Sequence, residues 1–341
     1  MLILNLTKMY SDSNLQIKLD KFAKYAWFVL AYNIIVILWG VVVRASLSGD
    51  GCGQYWLTCG GEIIPSAPEL KTVIEFSHRI TSGLALVAVL AMCVWAFRKY
   101  ARGSFMRKMA SASLVFIVIE ALIGAVLVLF KLVALNPSII RAFSMAAHLI
   151  NTFILLAVLT LTAWFASGGK PFSIRIRGKT LWFLLIAVLG ILLISLSGSL
   201  AALSSTLFPA ISLTEGLRQD FSETSHFLLR LRISHPILSI MVGVFLVFLA
   251  GSFKSRQKEN IWVNRWANAL VILVAGQFAS GVLTLLTLAP IVMQLVHLLL
   301  ADAVWIAFVL MTANVLAVDE DYLTEKTERN FPLETKNLRL D

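Results

Sequence analysis

The sequence predicts an all-α integral membrane protein, with eight transmembrane helices arranged as two repeated four-helix bundles. Of its 341 residues, 59% are hydrophobic and only 14% are charged, whereas a soluble domain is about one quarter charged. Eight apolar runs are long enough to cross a bilayer as helices, and none alternates with the period of two typical of barrel strands. The runs are 26–46, 73–97, 109–130, 143–166, 181–201, 233–252, 267–288 and 292–314.

The chain also repeats itself, which predicts two units of four helices each. The residues around His78 and Glu120 recur 157 positions later, around His235 and Gln277. The residues around His148 recur 149 positions later, around His297. The stretch that ends at Gly49 recurs at the same offset and ends at Gly198. We therefore expect an N-terminal unit at 26–166 and a C-terminal unit at 181–314, related by an axis along the membrane normal.

The net charge of +10 follows the predicted topology. Loops on one side of the eight spans carry 17 Lys and Arg residues, and loops on the other side carry six. Because positive loops stay in the cytoplasm, we expect a multi-pass protein of the inner (cytoplasmic) membrane with both termini cytoplasmic. The N-terminal segment 1–25, the linker 167–180 and the tail 315–341 are then cytoplasmic, and the basic balance does not indicate a nucleic-acid partner.

Four of the five histidines occupy matched positions in the two units, one or two turns into a span that begins outside. They are His78, His148, His235 and His297. Within each unit the pair can face across the bundle, where two imidazoles can hold an iron porphyrin. A metal-ion site and a proton relay are the alternatives, although a site of histidines alone usually needs a third nitrogen or a carboxylate.

The two units differ in the residues beside these histidines. Glu75 lies one helical turn from His78, about 4.5 Å along the axis, and could act on a group at the edge of a bound ring. Alternatively, it complements the helix dipole. Arg232 stands at the matching position of the second unit. This favours a reactive site in the first unit and an electron-carrying cofactor in the second.

Two further features near these histidines bear on the geometry. Pro236 follows His235, so we expect His235 to leave helical dihedrals and its ring to shift. His226 has no counterpart in the first unit and is interpreted as a surface residue.

Other polar residues near the predicted outer face allow more than one interpretation. Arg44, at the end of the first span, is either an interfacial anchor or the partner of an anionic ligand group. Cys52 and Cys59 lie in a glycine-rich outer loop, where an oxidising compartment favours a disulfide over free thiols. The bond would be a loop staple or redox-active. Cys93 is interpreted as a core residue.

These motifs resemble the heme A synthase family over residues 25–315. The matching parts are the Val-Arg-x-x-x-Ser-Gly end of the first span, the two cysteines of the outer loop, Glu-x-x-His-Arg at 75–79, and His148, His235 and His297. The resemblance implies a membrane enzyme of cytochrome oxidase assembly that converts heme O to heme A. A ring methyl is hydroxylated successively to a hydrate, which loses water to leave a formyl group.

The resemblance also implies roles for individual residues. His78 and His148 would be axial ligands of the substrate heme, and Glu75 the catalytic carboxylate. His235 and His297 would ligate heme b, which would serve as an electron-transfer cofactor. Cys52 and Cys59 would form the family's outer disulfide, and Arg44 and Arg79 would contact the heme propionates or other parts of the site. A second cysteine pair, found in some members, has no equivalent among the three cysteines here.

The implied partners are a heme O synthase (a prenyltransferase) as heme donor, quinol or another membrane electron donor, further copies of the chain, and the lipid bilayer. The alternative function is a multi-heme b-type cytochrome that passes electrons from quinol without modifying heme. Such a protein needs the four histidines but neither Glu75 nor the cysteine loop. A transporter is less favoured, because its polar site is expected near the midplane.

Overall fold

The computed structural model describes residues 19–172 and 178–317, and these form ten α-helices. We number them in chain order: α1 Lys21–Ala45, α2 Leu70–Lys99, α3 Phe105–Leu129, α4 Ile139–Ala166, α5 Lys179–Leu207, α6 Leu213–Phe221, α7 Phe227–Arg232, α8 Ser234–Arg256, α9 Ile261–Leu286 and α10 Ile291–Val315. The described part of the chain contains no β-strand, which confirms the all-α prediction.

Eight segments are long and apolar enough to span a bilayer, as the sequence predicts. Seven are single helices, and the eighth, Phe227–Arg256, combines α7 and α8. The short amphipathic helix α6 was not predicted. Most of the N-terminal segment 1–25, most of the tail 315–341 and linker residues 173–177 lie outside the described residues.

Pro236 acts at a different place from the one expected. His235 and Pro236 both lie within the first turn of α8, so the expectation that His235 leaves the helix is wrong. The chain instead breaks at Ile233, between the end of α7 at Arg232 and the start of α8. Proline has no N–H to donate to the carbonyl four residues earlier and clashes with that carbonyl. In this span, that carbonyl belongs to Arg232.

The helices pack in the same order in both parts of the chain. Helix α2 contacts α1 and α3, and α3 contacts α4; likewise α8 contacts α5 and α9, and α9 contacts α10. Helices α4 and α10 meet in the middle, where the Trp305 indole N–H donates to the Phe153 carbonyl at 2.7 Å. The shared core therefore runs along α4 and α10, and each set of four helices flanks it.

Helix direction brings the four histidines to one end of the bundle. Helices α2, α4, α8 and α10 all begin at this end, which we call the histidine end. At the opposite end, Asp20 caps α1 by accepting from the Ala23 N–H at 2.9 Å, and it pairs with Lys99 of α2. Burial alone would raise the pKa of Asp20, but these hydrogen bonds and the lysine charge lower it.

Candidate functional site

His235 and His297 face each other, as expected for the second pair. Their ring centroids are 6.2 Å apart, and the ring planes are nearly perpendicular, at 86°. His235 comes from the first turn of α8 and His297 from the second turn of α10.

Serine hydroxyls hold both of these rings by Nδ1. Ser197 of α5 lies 3.2 Å from His235 Nδ1, and Ser280 of α9 lies 2.8 Å from His297 Nδ1. A partner on Nδ1 fixes the ring orientation and leaves Nε2 for a metal. On His297, Nε2 lies 3.2 Å from the amide nitrogen of Gln277. That flexible side chain has to turn away before His297 can bind a metal.

The first pair, His78 and His148, has no such hydroxyl partners. Both Nδ1 atoms are buried, and neither makes a hydrogen bond to any residue in the described part of the chain. Because buried polar atoms are nearly always satisfied, these two imidazoles have the unsatisfied nitrogens expected of groups that bind an external partner.

Glu120 lies beside His148 and was not among the predicted site residues. Its Oε1 lies 3.5 Å from His148 Nδ1, and the carboxylate accepts hydrogen bonds from the Thr152 hydroxyl and from Asn151 Nδ2, the latter at 2.5 Å. Gln277 of α9 contacts His297 at the matching place of the second half, but through its amide nitrogen and the Nε2 of that ring. The recurrence of Glu120 as Gln277 was the sequence signal that could have placed both residues at the site.

Glycines let the backbone approach three of the four rings. A Cβ at Gly40 would lie 3.3 Å from His78 Cε1, one at Gly198 would lie 2.9 Å from His235 Cε1, and one at Gly281 would lie 3.2 Å from His297 Cε1. The two second-half glycines each directly follow the serine that bonds the same ring. This repeated Ser-Gly dipeptide could have identified both serines from the sequence.

These glycine–histidine contacts indicate a different alignment between α1 and α5, the first helices of the two halves. Gly40 and Gly198 each contact the histidine of the following span, and Lys21 and Lys179 each begin their helix. The contacts therefore match Gly198 with Gly40, at an offset of 158 residues, whereas the sequence comparison matched it with Gly49. The earlier register is wrong because it followed similar letters near the loop, without the histidine contact.

Glu75 is 3% exposed and holds the outer loop onto α2. Its Oε2 accepts the Cys52 backbone N–H at 2.8 Å, and its Oε1 accepts from Arg79. Arg79 donates in turn to the carbonyls of Tyr55 and Thr58, the latter at 2.9 Å. Because Glu75 lies in the second turn of α2 and is paired, dipole complementation is not its main interaction.

Cys52 and Cys59 are bonded to each other, which confirms the disulfide. Cys93 is buried in the core, also as expected. His226 is partly exposed, and its interpretation as a surface residue stays a prediction. It caps α7 by accepting the Leu228 N–H at 3.3 Å, and its ring packs on Phe208.

Arg44 points into the protein rather than to the lipid interface, so its interpretation as an interfacial anchor is wrong. Its guanidinium donates to the Ala202 carbonyl at 3.0 Å and the Thr206 hydroxyl at 2.9 Å, both on α5. It also donates to the Gln294 amide oxygen of α10 at 2.6 Å. Arg44 thus connects the first helix to the second half of the chain at the histidine end.

No cluster of metal-ligating side chains in the described part of the chain marks this site independently. Within residues 19–172 and 178–317, no group of three or more His, Cys, Asp or Glu side chains could hold a metal ion. Two surface cavities lie away from the histidines; one of them is lined by Trp27, Trp164, Trp262 and Trp266 at the opposite end. The arrangement of imidazoles therefore defines the candidate site.

Comparisons with known proteins identify relatives of this chain. A protein of Thermus thermophilus, named protoheme IX farnesyltransferase, is 44% identical over 297 residues, which cover 87% of this chain and 49% of that protein. The chain therefore spans about half the length of this relative. The heme A synthase of Halalkalibacterium halodurans is 28% identical over 279 residues, covering 79% of this chain and 88% of that protein.

A second heme A synthase, from Alkalihalophilus pseudofirmus, is 27% identical over 290 residues, covering 82% of this chain and 92% of that protein. The model of the family COX15-CtaA, described as cytochrome oxidase assembly protein, matches residues 23–309. This match includes all four paired histidines, Glu75 and both bonded cysteines. The chain belongs to the COX15-CtaA family of cytochrome oxidase assembly proteins.

Proposed function

We propose that this protein is a heme A synthase, an oxidoreductase that converts a ring methyl of heme O to the formyl group of heme A. The observation that carries the proposal is the gathering of two imidazole pairs at one end of a membrane-spanning bundle. Relatives named heme A synthase that align along about four fifths of the chain support it. The two repeated four-helix units, 26–166 and 181–314, would hold one heme each.

The second half fits a resident heme b. When two imidazole nitrogens each lie about 2 Å from the same metal, the centroids of their rings are about 6 Å apart. The ring centroids of His235 and His297 are 6.2 Å apart, which is close to this value. The serine contacts of both rings are those that orient histidine ligands in metal sites. The bound heme would supply one-electron redox chemistry, while the two histidines hold it and fix its distance from the first half.

The first half fits the substrate heme. His78 and His148 have buried nitrogens without hydrogen bonds in the described part of the chain, and their rings lack the hydroxyl contacts that fix the second pair. Rings held less tightly suit a heme that enters as heme O and leaves as heme A. Glu120, beside His148, would stabilise that imidazole and its orientation.

Glu75 is proposed as the carboxylate that helps position or stabilise the reacting methyl group. A carboxylate offers about four acceptor positions, and the Cys52 N–H with two Arg79 nitrogens uses three of them. One acceptor position therefore remains for a substrate group or a proton. Cys52–Cys59 would keep the loop, and with it Glu75, in place.

The relatives and the composition also support the proposed partners and location. The Thermus protein carries the name of a heme-prenylating enzyme, and this chain matches only about half of it. That match supports a heme O synthase as the partner that supplies the substrate. Each hydroxylation would need an oxidant such as dioxygen, with quinol or another membrane donor supplying the electrons that reduce its second oxygen atom to water. Further copies of the chain could associate with it, and both termini would lie in the cytoplasm.

Chromatography of extracted heme tests the proposal. The full chain is expressed with a heme O source, and its heme is extracted and separated. The proposal predicts a more polar heme that carries a formyl group, and we expect the Glu75→Ala variant to retain heme but lack this product. Unmodified heme alone in the wild-type protein would contradict the proposal and favour the multi-heme b-type cytochrome.

A further inference from the structure

Two arginines at the histidine end, Arg44 and Arg141, lack the carboxylate partners that others there have. Arg79 pairs with Glu75, and Arg232 pairs with Asp220 at 2.8 Å. Across the described ranges, neither Arg44 nor Arg141 takes part in an ion pair. Arg141 is buried and Arg44 is half-buried. A buried charge without a counterion is strongly unfavourable, so this place in the fold calls for an anion.

Arg141, in the first turn of α4, presents an unused binding edge. It is 2% exposed, and its Nη1 donates to the carbonyls of Ala134 and Asn136 at 2.6 and 2.9 Å. Its Nε is buried without an acceptor, and its Nη2 donates no hydrogen bond within the described part of the chain. Because Nε and Nη2 form the edge that binds a carboxylate through two parallel hydrogen bonds, a carboxylate suits this group.

Arg44 adds a second positive charge to the same region. All three of its acceptors, on Ala202, Thr206 and Gln294, are neutral and leave its charge uncompensated. Ala142, next to Arg141, packs in one cluster with Leu203, which follows the Ala202 carbonyl that Arg44 binds, so the two arginines lie in the same part of the bundle. Two neighbouring cations without acidic partners favour a ligand that brings two negative groups.

Helix geometry places this arginine pair beside the first histidine pair. Arg141 lies seven residues before His148 on α4, which is two turns, or about 10.5 Å, on the same face. Arg44 lies one turn beyond Gly40, the glycine that contacts His78. The corresponding second-half positions are Ala202 and Pro290, which carry no charge. The two charges therefore belong to the first-half site.

We infer that Arg44 and Arg141 recognise the two propionate carboxylates of the porphyrin bound between His78 and His148. The carboxylate edge of the ring then points to the histidine end, and the apolar edge points into the bundle. This inference rests on the proposed function and goes beyond the sequence prediction, which named Arg44 and Arg79 as the candidate contacts of the propionates. All three guanidinium nitrogens of Arg79 are already bonded to Glu75 and loop carbonyls.

A comparison of two porphyrins tests the inference without measuring catalysis. The full chain, freed of heme and held in phosphatidylcholine nanodiscs, is titrated with iron protoporphyrin IX and with its dimethyl ester, which lacks both carboxylates. The wild-type protein should bind the diacid at least about tenfold more tightly, or about 1.4 kcal/mol. That preference should shrink in Arg44→Gln and Arg141→Gln and remain in the matched control Arg232→Gln.

Two further variants locate the effect and guard against misfolding. Arg141→Lys keeps the charge and should retain part of the preference for the diacid. The effect of Arg141→Gln on the preference for the diacid should vanish when it is combined with His148→Ala and persist when it is combined with His297→Ala. The reverse result would assign the carboxylates to the second half and overturn the inference.

The other outcomes also have distinct meanings. An unchanged preference in both Gln variants, or equal weakening of diacid and diester, would overturn the inference and indicate a lipid phosphate or a structural role. A wild-type protein that binds neither porphyrin would overturn the proposed function as well.

Discussion

The two histidine pairs differ mainly in how their rings are held. In the second half, Ser197 and Ser280 bond both Nδ1 atoms, and the polar neighbour Gln277 is neutral. In the first half, both Nδ1 atoms lack hydrogen bonds within the described residues, while Glu75 and Glu120 place carboxylates nearby. Fixed rings suit a resident cofactor, whereas less constrained rings beside carboxylates suit a substrate that must enter, react and leave.

The largest effect should come from Glu75, which has no counterpart in the second half. In Glu75→Ala we expect heme content to stay and formation of the formyl heme to fall by about 100-fold or more, as when a preorganised stabilising group is removed. Quantifying each heme by chromatography after a fixed expression time checks this.

The control for Glu75 addresses its structural contacts. Glu75→Ala leaves Arg79 unpaired, which is itself destabilising, so the double variant Glu75→Ala/Arg79→Ala should recover thermal stability without recovering conversion. Normal heme A formation in either variant would remove Glu75 from the chemistry.

The serines should determine how firmly the second half holds its heme. Ser197→Ala and Ser280→Ala remove the Nδ1 partners, and such changes typically lower metal affinity by about 10–100-fold. Transfer of heme b to an excess of a heme-scavenging protein should accelerate accordingly. Ser199→Ala is the matched control, since among the described residues the Ser199 hydroxyl bonds only the Leu196 carbonyl on its own helix. Equal rates in all three variants would contradict the proposed difference between the halves.

Substitution at a glycine contact should have a smaller effect. Gly198→Ala places a Cβ 2.9 Å from His235 Cε1, so the ring must move, at a cost of about 1–3 kcal/mol for overpacking. The electron paramagnetic resonance signal of heme b should shift, because ligand orientation changes. Gly251→Ala is the control, since no atom outside its own helix lies within 4 Å of the added Cβ. An unchanged signal in Gly198→Ala would show that this glycine does not set the ring position.

The smallest effect is expected for the unpaired fifth histidine. His226→Ala removes the cap of α7, which should lower the free energy of unfolding by about 1 kcal/mol and leave the heme-to-protein ratio unchanged. Thermal unfolding and pyridine hemochrome spectra check both points. Loss of a heme in this variant would mean that His226 belongs to a heme site.

The sequence was sufficient to predict those features of the structure that depend on a single helix or on the internal repeat. Hydropathy identified eight spans, because the bilayer requires long apolar segments, and repetition identified His78, His148, His235 and His297. Partners that lie across helix interfaces were missed, since helical periodicity shows which face a residue occupies but not what meets it.

Arg44 and Glu75 show this limit most clearly. The sequence placed Arg44 at a span end, yet its acceptors lie 158 to 250 positions away. Glu75 was recognised as a site residue, but its bond to the Cys52 N–H depends on how the disulfide loop folds back on α2. The effect of Pro236 was misplaced because the lost hydrogen bond belongs to a carbonyl four residues upstream.

The most direct test of the account removes one histidine pair at a time and identifies the hemes that remain. In His78→Ala/His148→Ala, expressed with a heme O source, we predict loss of heme O and heme A with heme b retained. In His235→Ala/His297→Ala, we predict loss of heme b, with the first-half heme retained as unconverted heme O. Loss of heme b from both variants, or loss of no heme from either, would contradict the assignment of one porphyrin to each half.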